Sequence, residues 1–127
     1  MKNRTLNYVL RNFRSTPCIF ESRAAKYKFG IKNYGEIPSY INKADGDPWD
    51  IFAPGYNHKF PVNKPFFIDK IIGILVLENG NHKLAVRLKD VPILSPHFEH
   101  FNCLNYSQKY CKFTKIKGTY IKLPKLN

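Results

Sequence analysis

The chain has 127 residues, room for one domain with a real core, and its 43% hydrophobic and 15% aromatic content is globular rather than disordered. Lys and Arg number 21 against 9 Asp and Glu, and the formal charge of +12 points to polyanionic partners: RNA, acidic protein surfaces or anionic lipid headgroups. No apolar run is long enough to span a bilayer, and the 3 cysteines (Cys18, Cys103, Cys111) lack CxxC spacing, which supports neither a disulfide framework nor a zinc site and makes a reducing compartment the default.

At the N-terminus, Leu6, Val9, Leu10 and Phe13 fall at helical spacing, with Arg4, Arg11 and Arg14 elsewhere and no acid before Glu21. An amphipathic, arginine-bearing, acid-free helix over residues 4–14 is what a mitochondrial transit segment looks like, and equally what a terminal helix packed on its own domain looks like. Ile19 to Phe29 reads as a short strand or hairpin arm, and Tyr34 to Asp50, with Gly35, Pro38, Gly46 and Pro48, as loop and turn. Ile51-Phe52-Ala53, Phe66 to Leu77 and Lys83 to Leu88 read as strands, the last two joined through Glu78-Asn79-Gly80-Asn81, an Asn-Gly hairpin signal. A helix over Pro96 to Asn105 and a final strand over Tyr110 to Lys117 complete the chain. Several strands with few helices favour a small closed barrel, a mainly β (α+β) class with one or two flanking helices. Six lysines and no acid follow Glu99, so both ends are basic around a near-neutral centre.

The stretch richest in chemistry is Asp45-Gly46-Asp47-Pro48-Trp49-Asp50, with 3 carboxylates in 6 residues. Gly46 permits a tight bend and Pro48 stiffens the backbone before the third acid. Such a cluster is either a solvated acidic turn or half of a site for a hard cation such as Mg²⁺, which takes carboxylate and phosphate oxygens. The pair His97 and His100 is weak as a metal site, and Trp49 is read as packing. No Walker-type loop, nucleophile elbow, internal repeat or RNA-binding signature is present.

In order, Asn33-Tyr34-Gly35-Glu36-Ile37-Pro38, the acid cluster, Gly73 to Leu77, Lys83-Leu84-Ala85-Val86, Phe98-Glu99-His100-Phe101 and the lysines from Lys112 to Gly118 resemble the soluble (family I) inorganic pyrophosphatases over residues 18–120. The resemblance implies an OB-like five-stranded barrel over 18–120, preceded by a basic amphipathic extension (1–17) and followed by a basic tail (121–127). It implies Asp45, Asp47, Asp50 and Glu78 as metal ligands, and Arg23, Tyr34, Lys83 and Asp50 as the groups acting on pyrophosphate or phosphate. It also exposes departures. Asn81 stands in the place of an aspartate, Phe101 and Asn102 in the places of a tyrosine and a lysine, and Tyr8 to Arg14 offers none of the carboxylates expected on the first strands. Tyr106 and Lys109 are candidate replacements displaced by an insertion.

Hydrolysis by this family is implied to use several Mg²⁺ ions. Each lost preorganised contact costs on the order of 2.7–4 kcal/mol of transition-state stabilisation. The expectation is therefore a noncatalytic subunit of a larger, mitochondrial assembly, bound to other protein subunits and to RNA. The alternative is an active Mg²⁺-dependent diphosphatase, and a third reading keeps the half-site for binding Mg²⁺ or a phosphorylated ligand without turnover.

Overall fold

The structure, a computed structural model, describes residues 2–22 and 29–124. Its elements are β1 (Lys2–Asn3), α1 (Leu6–Asn12) running into a 3-10 turn (Phe13–Ser15), β2 (Ile19–Phe20), β3 (Tyr34–Ile41), β4 (Pro48–Phe52), β5 (Ile68–Leu77), β6 (Lys83–Leu88), α2 (Pro96–Thr114) and β7 (Gly118–Lys122). Among the described residues the strands form one mixed sheet, in the order β1-β3-β4-β6-β5-β7 with β2 beside β3, and the sheet curls into a half-barrel. The class is mainly β, α+β.

Residues 34–50 are where the fold departs most from the sequence reading. What reads as loop is an antiparallel hairpin, β3 against β4, paired from Tyr34↔Phe52 to Ile41↔Pro48. Each apparent breaker has a position that suits it. Pro38 falls in the register shift between Ile37 and Ile41, where no ladder N–H is required, and Pro48 opens its strand. Gly46 has φ 74° in the connecting turn, which Asn42 holds together by receiving the Ala44 N–H at 3.0 Å on its side chain and donating its own N–H to the Asp47 carbonyl at 2.8 Å. Gly35 is a glycine for another reason: a Cβ there would run into the backbone carbonyl of Ile19 on β2.

The pleat sends alternate residues to two cores. Ile37, Trp49, Ile51, Leu84 and Val86 face one, and this core includes Val9 and Phe13 from the N-terminal segment. That segment is integrated into the sheet: β1 pairs in parallel with β3 (Lys2↔Tyr40, Asn3↔Ile41), Thr5 caps α1, and the Trp49 indole donates to the Arg4 carbonyl at 2.9 Å. Tyr34, Phe52, Leu75 and Ala85 face the other core, which α2 covers with Cys103, Tyr106 and Tyr110.

Helix α2 is longer than its sequence suggests, ending at Thr114 rather than near Asn105, so Tyr110 to Thr114 is helix and the last strand begins only at Gly118. Ser95 caps its start, accepting the Phe98 N–H, and Pro96 occupies the first turn. Its end is set by Lys115 at φ 62°, whose N–H bonds back to the Cys111 carbonyl. A bidentate pair from Arg87 on β6 to Glu99, at 2.8–3.2 Å, fixes the helix to the sheet.

Candidate functional site

The site grows out of one row of residues lying across four strands. In register, Glu36 on β3 faces Asp50 on β4, Asp50 faces Lys83 on β6, and Lys83 faces Leu75 on β5. Directly opposed carboxylates are unfavourable in a sheet. Lys83 offsets them, its ammonium donating to Asp50 Oδ2 at 2.5 Å with side-chain exposures of 2% and 20%. The sequence reading named Asp50 and Lys83 but missed Glu36, because strand pairing, invisible while 34–50 reads as loop, is what brings it to this row.

Tyrosines close over the pair. The Lys83 ammonium lies 5.5 Å from the Tyr110 ring centroid and 5.9 Å from that of Tyr34. Tyr106 packs on Phe52 at 4.6 Å and beside Tyr34 at 6.3 Å. Burial holds the Tyr34 and Tyr106 phenols well above their ordinary pKa, with Asp50 and Tyr110 adding to it, and burial followed by Asp50 raises that of Tyr110. All three are neutral hydroxyls at physiological pH. Tyr110 was missed by the sequence reading, although Cys103, Tyr106 and Tyr110 mark one helical face.

The remaining acids sit on two adjoining turns. Asp45 and Asp47 are exposed at the β3–β4 turn, where an Asp45 carboxylate oxygen accepts the Asp47 N–H at 3.0 Å. The β5–β6 turn abuts it through an Asn42 side-chain N–H donated to the Gly80 carbonyl at 3.1 Å. There Glu78 accepts the Lys117 N–H at 3.0 Å, and the Asn79 side chain accepts the Asn81 N–H. Among the described residues no three His, Cys, Asp or Glu side chains converge as a metal site. Arg23 lies outside the described residues. The chemistry of the acids suits Mg²⁺, yet an ion at Asp50 would compete with Lys83 for the carboxylate.

Phe101, Asn102 and the two candidate replacements, Tyr106 and Lys109, are placed differently. Phe101 is 60% exposed, and the Asn102 side chain donates to the Pro54 carbonyl, so neither serves the site. Tyr106 does come beside Tyr34, whereas Lys109 lines a separate groove with Phe29. Other motif residues have structural tasks. Asn33, 1% exposed, joins the strand to the next loop by donating to the His58 carbonyl and accepting the Phe60 N–H, both at 2.8 Å. His82, its pKa lowered by burial and by Lys83, is a neutral acceptor for the Leu77 N–H. No family model, curated protein or solved structure matches the chain.

Proposed function

We propose that the chain is a noncatalytic, pyrophosphatase-like OB barrel that serves as a subunit of a larger assembly. One observation carries this reading. The groups that would contact phosphate, Lys83, Tyr34 and Tyr106, are 2%, 3% and 0% exposed, and the Lys83 charge is already matched inside the protein by Asp50. A hydrolytic site must present its cation and hydroxyl donors to the transferring phosphoryl group. Here they pack against one another. Asp45, Asp47, Asp50 and Glu78 would hold Mg²⁺ weakly, each except the exposed Asp47 having a protein donor on a carboxylate oxygen.

The partners of this subunit are other proteins, met through its basic ends and through exposed apolar residues such as Phe101 and Leu104 on α2. A mitochondrial location rests on the acid-free, arginine-bearing N-terminus. A second reading, an active Mg²⁺-dependent diphosphatase, is favoured by the place of Tyr106, which brings beside Tyr34 the hydroxyl that Phe101 lacks. Phosphate release from diphosphate with excess Mg²⁺ separates the two. The expected result is no turnover by the parent chain or by Asp50→Asn. Rates of roughly 1–10³ s⁻¹ that vanish in Asp50→Asn would establish the enzyme instead.

A further inference from the structure

Strand β7 is the outermost of the sheet, joined on one side to β5 from Leu77↔Gly118 to Gly73↔Lys122 with no shift of register. Leu123 donates its N–H to the Ile72 carbonyl and Glu78 donates to the Lys117 carbonyl, so the odd-numbered residues of 117–123 carry the bonds to β5. The N–H and C=O groups of Gly118, Tyr120 and Lys122 therefore point away from β5, and among the described residues no group bonds to them. Tyr120 pins the strand, its ring filling the space over Gly73, where a Cβ would strike it, and packing on the core beneath α2. On the other face Ile121, opposite Ile74 of the first core, is still 48% exposed. An unpaired edge is a template for another strand, and proteins guard it with bulges, prolines or lysines. Within β7 there is neither bulge nor proline; its guard is Lys122, with exposed Lys115 and Lys117 leading in.

We infer that the outer edge of β7 takes up an extended acidic segment of a partner protein as the next strand of the sheet. Strand addition of this kind draws affinity from main-chain hydrogen bonds and selectivity from alternate side chains. The added strand covers Ile121 with an apolar residue and sets carboxylates beside Lys117 and Lys122. Charge selects this occupant. No acid lies between Glu99 and Pro124, and the chain carries a formal +12, so a second copy would bring one lysine-bearing edge against another. The inference extends the subunit reading to a definite surface but uses no group of the Asp50–Lys83 site, so turnover in the diphosphate assay would overturn that reading and leave this one standing.

The probe is a fluorescein-labelled peptide of alternating glutamate and valine, roughly 6 residues long, with a lysine–valine peptide as its counterpart. Anisotropy with the full-length chain is expected to show saturable, salt-sensitive binding of the acidic peptide and none of the basic one. Lys122→Gln keeps the outward N–H and is expected to lower the salt dependence. Lys122→Pro also removes that N–H without taking a bond from β5, a place where an edge strand tolerates proline. It is expected to bind roughly 2- to 13-fold more weakly than Lys122→Gln, the range for one hydrogen bond, and its urea midpoint checks that it folds. Amide exchange by NMR reads the edge itself: Gly118, Tyr120 and Lys122 are expected to exchange fast in the free chain and slowly with the acidic peptide bound, while Thr119 and Ile121 exchange slowly in both. Slow exchange of all three in the free chain would overturn the inference, the edge being already covered, and covered by a second copy where sedimentation gives a dimer. Peptide binding that leaves the three amides fast would overturn it as well, as would equal binding of the two peptides or binding of neither.

Discussion

Lys83 holds a full charge with 2% of its side chain exposed, and its carboxylate partner Asp50 is only 20% exposed. Removing one member of a buried ion pair strands the other, at a typical cost of 3–5 kcal/mol, whereas replacing both with apolar groups is often close to neutral. The partial exposure of Asp50 places this pair at the low end. Lys83→Met is therefore expected to cost about 3 kcal/mol in urea unfolding, and Asp50→Leu in the same chain to recover most of it. At this scale the sequence names Asp50, Lys83 and Tyr34 as candidates but does not show that they are packed together, because their burial depends on α2 lying over them.

The hairpin formed by β3 and β4 decides how the motif residues are used, and Gly35 shows why. A Cβ at Gly35 would collide with the carbonyl of Ile19, an atom held by the pairing Ile19↔Glu36 and Phe20↔Gly35. Because the obstacle is backbone, no rotamer change relieves it. Gly35→Ala is expected to push β2 away from β3, expose Phe20 and lower the unfolding free energy by about 3 kcal/mol, near the upper end of overpacking costs. A fall in the urea midpoint without a change in m checks this. Strands β5 and β6 and their Asn-Gly connection are readable because apolar β-branched runs and a turn signal agree. The β3–β4 hairpin is not readable, because two prolines and two glycines count as breakers until the bulge and the strand start that accommodate them are known. The C-terminal half of α2 is hidden similarly: Tyr110 to Lys117 mixes aromatic, β-branched and polar residues as a strand does, and only the Cys103, Tyr106 and Tyr110 spacing argues for helix.

The whole molecule is held together by its first residues as much as by the half-barrel sheet they precede. Val9 and Phe13, 0% and 2% exposed, sit in the same core as Ile37, Trp49 and Ile51, and the backbone before them extends the sheet at β1. Sequence alone leaves α1 open to two uses because its apolar face looks the same whether it meets a receptor or its own sheet. The two uses make different demands on a truncated chain. A removable leader contributes nothing to the fold, so a chain lacking residues 1–17 would unfold at the same midpoint as the parent. A packed element contributes its buried area, and full burial of Val9 and Phe13 alone is worth about 3–6 kcal/mol. That is comparable with the entire stability of a small domain, roughly 5–15 kcal/mol. Deletion of residues 1–17 is therefore expected to abolish the cooperative urea transition and the near-ultraviolet circular dichroism of the buried aromatic residues. A truncated chain that kept both, with an unchanged midpoint, would show that the segment is dispensable to the fold.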